Sequence, residues 1–288
     1  MKIIASLFFI FVFTPIINGQ SWEIFNTELK AEKNNGSIHL SHLTGSESLT
    51  IEADTVYFDG DADAVFFETE GLKGVIGINT LEILQKPHFL SLKPVDTDYY
   101  IVEVDDGFYF SLNRFPLKPV SEVYDDIYPL VPPQLNDCIS RPFFVIVKRD
   151  HAGIISHTSD YEFPLIPTAY DEIVFHQCQE GNLIYYLRDK NEWGAGGKEG
   201  IEVKPAFDKI EHVVGESGNN GFFIWHKDKK GLIMTGQEKP LIEDELSLLK
   251  YIPIGEKGFV FGLNNYQRVS DFLVIDRYGD VITTSKFE

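Results

Sequence analysis

Residues 205–210 read Pro-Ala-Phe-Asp-Lys-Ile, and this stretch decides the fold because it recurs. Tyr170-Asp171-Glu172-Ile173 behind Pro167 and Tyr124-Asp125-Asp126-Ile127 behind Pro119 keep the same order: aromatic, aspartate, any residue, aliphatic. Weaker copies stand at Ala53-Asp54-Thr55-Val56, at Phe89-Leu90-Ser91-Leu92 behind Pro87, and at Glu243-Asp244-Glu245-Leu246 behind Pro240. The second positions, 54, 90, 125, 171, 208 and 244, lie at successive steps of 36, 35, 46, 37 and 36. A fixed period of this size marks a tandem array of about six units, none of which can bury its apolar surface alone. The one long step coincides with Pro129-Leu130-Val131-Pro132-Pro133, which reads as an inserted loop.

Working outward, each unit carries a run of aromatic and β-branched residues, the composition of a buried strand: residues 64–68, 99–104, 143–147, 183–187, 222–225 and 258–261. A charged turn with glycine follows most of them, as in Asp105-Asp106-Gly107, and a short apolar pair comes next, as in Gly153-Ile154-Ile155 and Gly231-Leu232-Ile233. The unit is therefore a hairpin plus a third strand bearing the Asp motif. No long segment shows a helical period, so helices are minor. The expected fold is all-β: three-stranded β-hairpin repeats stacked as an open or curled solenoid. A six-bladed β-propeller is the alternative, disfavoured because blades of about 40–45 residues usually hold four strands.

These residues resemble the WG β-repeat family. Lys230-Gly231-Leu232-Ile233 with Gly236 and Pro240, and Trp193-Gly194 followed by Pro205 to Ile210, match its order of Trp/Tyr-Gly-aliphatic-Ile, glycine turn, proline, then Tyr-Asp-x-Ile. The resemblance covers most of residues 50–282. Only one unit holds the Trp-Gly pair; others have Lys-Gly or Ala-Gly, the second unit departs with Gly107-Phe108-Tyr109, and the last is shortened to 272–282. It implies an all-β tandem array and, for most members, no assigned chemistry.

The expected organisation is a signal peptide at 1–19, an N-terminal cap at 20–50, the repeat array at 51–258 and a C-terminal partial repeat or cap at 259–288. Lys2, the apolar run from Ile3 to Ile17 and the small residue Gly19 have the layout of a cleaved secretory signal. That run is too short to span a bilayer, so the mature chain is expected to be exported (periplasmic, cell-surface or secreted) with no membrane insertion.

With 44 Asp and Glu against 25 Lys and Arg, the net charge is −19, and no basic cluster interrupts it along the sequence. Nucleic acid, and anionic partners generally, are not expected. Cys138 and Cys178 are the only cysteines; an oxidising compartment permits a bridge, and buried thiols are the alternative.

The repeated aspartate has two readings, a ring of carboxylates or an acceptor for backbone N–H groups at a turn, and the second is favoured. Asp59, Asp61, Asp63 and Glu70 fall at positions 1, 3, 5 and 12 of a calcium loop, but Ala64 replaces its glycine and the flanks read as strands, so an acidic hairpin tip is preferred. His39 and His42, three apart on a strand, face opposite sides and do not chelate together. Asn35-Gly36-Ser37 marks a tight turn. The expectation is no catalytic set, no cofactor, no metal, and a non-enzymatic scaffold binding a protein or cell-envelope component. The alternative is a glycan-binding or glycan-hydrolysing β-repeat protein.

Overall fold

The computed structural model describes residues 21–24, 27–60, 64–95, 98–132, 134–135, 142–156, 164–179, 182–214, 221–227, 229–235 and 240, plus the backbone of strands between 242 and 286. Every named element is a strand, and the strands form seven antiparallel sheets among the described residues. The first holds β1 (Ser21–Glu23), β2 (Leu29–Asn34), β3 (Ser37–His42) and β4 (Ser48–Glu52). The second holds β5 (Thr55–Asp59), β6 (Ala64–Thr69), β7 (Leu72–Ile76) and β8 (Ile83–Phe89). The third has only β9 (Ser91–Pro94), β10 (Tyr99–Val104) and β11 (Gly107–Leu112). The fourth holds β12 (Asp126–Pro129), β13 (Phe143–Lys148), β14 (His151–Ser156) and β15 (Ile166–Tyr170). The fifth holds β16 (Glu172–Gln179), β17 (Asn182–Asp189), β18 (Glu192–Gly197) and β19 (Gly200–Phe207). The sixth holds β20 (Lys209–Val214), β21 (Gly221–His226), β22 (Lys229–Met234) and β23 (Ile242–Leu246). The seventh holds β24 (Leu248–Ile254), β25 (Lys257–Asn264), β26 (Arg268–Asp276) and β27 (Val281–Lys286). Strand order follows chain order in each.

The all-β tandem fold stands, with one strand more per unit than the sequence reading assigned in six of the seven sheets. The reason lies at the aspartate. The segment before it closes one sheet as a fourth strand, and the segment after it opens the next, so Asp171 sits between β15 and β16 and Asp208 between β19 and β20. The segment expected as an N-terminal cap forms the first four-stranded sheet. Residues 243–246, read as a repeat corner, lie inside β23 instead. The register Lys230↔Leu246 matches Trp193↔Phe207, which puts Leu246 in the aromatic's place and moves that corner three residues on.

Two compact units divide the chain: residues 1–105 with 111–118, and residues 106–110 with 119–288. In the first unit, Leu29, Ala31, Ile38, Leu40 and Ile51 of the first sheet share a core with Val56, Val65, Phe67 and Ile76 of the second. In the second unit the fifth sheet is buried on both faces. Leu183, Tyr185 and Leu187 pack with Phe143, Val145 and Ile154 of the fourth sheet, while Ile184, Ala195 and Val203 pack with Ile210, Phe222 and Ile224 of the sixth. Alternate residues of β17 thus serve opposite neighbours, which is why the sequence there is one continuous apolar run rather than an alternation.

Two structural devices repeat. The first is a bulge opposite the repeat glycine. In the second, fourth, fifth and sixth sheets, two residues on the third strand oppose four on the fourth: Lys73↔Phe89 with Val75↔Gln85, Ala152↔Tyr170 with Ile154↔Ile166, Trp193↔Phe207 with Ala195↔Val203, and Lys230↔Leu246 with Leu232↔Ile242. The bulge brings the fourth strand's carbonyls onto the glycine: a Cβ on Gly194 would lie 2.4 Å from the Val203 oxygen, on Gly153 2.5 Å from that of Ile166, and on Gly74 2.8 Å from that of Gln85. Pro87, Pro167 and Pro205 fall within these bulges, where a residue without an N–H does not break the ladder. The first sheet has no glycine in β3, and its β3–β4 ladder runs without a shift.

The second device is the corner. At five of the six repeat positions, the N–H donates to the carbonyl near the end of the second strand: Asp54 to Glu68 (2.7 Å), Leu90 to Glu103 (2.8 Å), Asp125 to Val147 (2.8 Å), Asp171 to Arg188 (2.9 Å) and Asp208 to Trp225 (2.9 Å). The turn that follows has two residues in each of these sheets.

Candidate functional site

Three of the repeated carboxylates are occupied by the fold. Oδ2 of Asp54 accepts the N–H of Glu70 at 2.9 Å, Asp125 that of Arg149 at 2.6 Å, and Asp208 that of Lys227 at 2.5 Å. The three donors sit in the left-handed region, with φ of 55°, 51° and 57°. A side chain there costs roughly 1–2 kcal/mol, which a hydrogen bond to a charged group offsets. This is the acceptor role that the sequence favoured over a carboxylate ring. The recurring aromatic is packing, with Phe89 and Tyr124 fully buried.

The calcium-loop residues do not converge. Asp59 ends β5, opposite Ala64, while Glu70 lies in the turn beyond β6, so the length of β6 separates them, about 20 Å at strand rise. Asp61 and Asp63 lie outside the described residues. Among those described, no group of three or more His, Cys, Asp or Glu comes close enough to hold a metal ion. His39 Nδ1 pairs with Thr50 Oγ1 at 3.0 Å, and His42 Nε2 lies 3.8 Å from Glu47. Cys178 is disulfide-bonded; Cys138 lies outside the described residues. Asn35 and Gly36 form the β2–β3 turn with φ of 48° and 87°.

Two clusters escaped the sequence reading because residues far apart in the chain compose them. Between the fifth and sixth sheets, the His176 ring lies on Tyr186 (centroids 4.7 Å) and 6.1 Å from the His212 ring, while the Tyr186 hydroxyl accepts the His212 backbone N–H at 2.8 Å. A bulge between Phe175 and Gln177 aims His176 there. Burial pushes its imidazole below the usual histidine range, and Glu211 pulls it partly back.

The other cluster is a row across the sixth sheet, Lys209↔Trp225↔Lys230. The two ammonium groups lie 4.5 and 4.6 Å from the indole centroid, and Lys230 also lies 5.8 Å from Phe223. The same row in the fifth sheet reads Glu172↔Arg188↔Trp193, where Arg188 lies 5.7 Å over the indole and places Nε and Nη2 each 3.0 Å from the Glu172 carboxylate. Trp193, which carries the family resemblance, therefore packs under an ion pair.

No family model matches the chain, and no curated protein matches it in sequence. Solved structures do. A eukaryotic initiation factor is 13% identical, with 94% of this chain and 78% of that one covered at a TM-score of 0.31. Hsv2 of Kluyveromyces lactis is 8% identical, covering 92% and 98% at 0.29. The β-propeller domain of the Trilobed protease from Pyrococcus furiosus is 12% identical, covering 90% of each chain at 0.26.

Proposed function

We propose that the chain is an exported, non-enzymatic repeat protein of the WG type, a scaffold that binds a protein or a cell-envelope component. One observation supports it above others: the residues that recur are consumed inside each sheet, as corner and bulge, while cross-strand rows such as Glu172–Arg188–Trp193 and Lys209–Trp225–Lys230 change from sheet to sheet. Constant interior and variable surface suit a binding array. The test is affinity capture with residues 20–288 from envelope and secreted fractions of the source, with and without chelator, read by mass spectrometry. A reproducible partner retained under chelation is expected, since Asp59 and Glu70 stand at opposite ends of β6. Failure to retain any component, together with turnover of a polysaccharide, would replace this reading with a glycan-acting one.

A further inference from the structure

The row Lys209–Trp225–Lys230 stands out against its counterparts. At the same register the second sheet has Thr55↔Glu68↔Lys73, the fourth has Asp126↔Val147↔Ala152, and the fifth has Glu172↔Arg188↔Trp193. Those rows are neutral or negative. The sixth holds two ammonium groups and no carboxylate, in a chain of net charge −19. Among the described residues its one ion pair is Lys209 with Glu211, 3.5 Å apart, and both side chains of that pair are more than half exposed, so water screens it. Among the described residues no carboxylate lies within salt-bridge distance of Lys230. Lys227 and Lys229 are exposed beside the adjoining turn, where the Asp208 carboxylate accepts the Lys227 N–H at 2.5 Å. Overall charge argued against anionic partners; at this one row two ammonium groups stand together.

We infer that this row is a binding subsite for a carboxylated sugar unit of an anionic polysaccharide. The inference deepens the scaffold reading by naming a partner class, and it rests on that reading. The chemistry fits a uronate better than a bare anion. The two ammonium groups, on strands either side of Trp225, bracket one carboxylate, and the partly exposed indole, backed by the buried Phe223 at 6.3 Å, offers aromatic surface to the C–H face of a pyranose ring. A phosphate polymer supplies the charge without that face, and a neutral glycan supplies the face without the charge.

The experiment uses residues 20–288 in affinity electrophoresis through polygalacturonate, a neutral galactan and polyphosphate, comparing the wild type with Lys209→Gln/Lys230→Gln and Trp225→Phe. Retardation by polygalacturonate alone is expected. It should weaken by about tenfold or more in the double lysine variant, and fade as salt rises from about 0.05 to 0.5 M. Circular dichroism confirms that the variants fold, and because neither lysine is buried the double variant is the decisive one. Unchanged retardation in that variant overturns the subsite, as does equal retardation by polyphosphate or galactan. So does self-association of the wild type that the lysine variant abolishes, which would make a second acidic copy the occupant. Envelope capture that survives in the double variant overturns the subsite while leaving the scaffold reading in place; capture of nothing by either protein overturns both.

Discussion

Gly194 in the fifth sheet and Tyr109 in the third occupy the same structural position, and the two sheets answer it differently. Around Gly194 the fourth strand β19 comes in to full length, because nothing stands between β18 and the Val203 carbonyl. Around Tyr109, which is buried, the fourth strand shrinks to a single bridge, Phe108↔Tyr124, with the Val120 N–H reaching the Phe110 carbonyl at 2.8 Å. The offset of that remnant is the same as in the other bulges, and the Ser121 hydroxyl stands in for the missing backbone partner, accepting the Phe110 N–H at 2.9 Å. A glycine lets the strand approach; a tyrosine holds it off and fills the space with its ring. The bulge is thus a property of the repeat, and the strand that occupies it depends on one side chain.

The exchange is not reciprocal, and that is where the comparison breaks most visibly. Tyr109→Gly removes a buried ring without supplying strand residues, so a loss of about 3–5 kcal/mol in urea unfolding is expected. A neutral result would mean that the fourth strand re-forms around the new glycine. Gly194→Ala places a methyl against the Val203 carbonyl, and a loss of roughly 1–3 kcal/mol is expected by the same measurement. Retained stability there would show that the bulge yields to a methyl group.

Next in size is the corner. Asp125→Ala leaves the Arg149 N–H without its acceptor while φ at Arg149 stays positive, and should lose about 1–3 kcal/mol. Leu90, which fills that corner position without a carboxylate, is the internal control: Leu90→Ala should leave exchange of the amides at 105 and 106 unaltered in hydrogen-exchange mass spectrometry, whereas Asp125→Ala should speed those at 149 and 150. The smallest effect belongs to Tyr124, whose phenol burial pushes up to about 12, with Glu122 adding to it. The folded state favours the neutral phenol, so this contribution is whole below pH about 10 and is lost as pH rises toward 12. Tyr124→Phe should flatten alkaline unfolding in that window, seen as a smaller drop in the urea midpoint.

The period, the all-β class and the structural role of the aspartate were legible because each rests on spacing and local turn chemistry. The fourth strand was hidden by its own proline. Pro167 and Pro205 argue against a ladder when read locally, and only the register shows them seated in a bulge opposite Gly153 and Gly194. The first sheet was missed because β3 has neither that glycine nor a shift of register to announce it. The corner after β23 was misplaced by three residues because Asp244 imitates the motif inside a strand. Lys209 and Lys230 meet over Trp225 only through cross-strand pairing, so charge counted along the chain could not reveal them.

The two-residue turns between second and third strands leave the six sheets that have them with one fixed edge and one free edge. Corner and turn share the fixed edge: the chain from Thr69 to Leu72, or from Lys148 to His151, is already spoken for by an aspartate and a pair of dihedral angles. The connection from first to second strand carries no such contract, and runs from two residues between Gln179 and Asn182 to thirteen between Pro129 and Phe143. New sequence entering a unit can therefore accumulate there without rewriting the unit, which makes that edge the place where a foreign loop could be grafted and the array still close its corners.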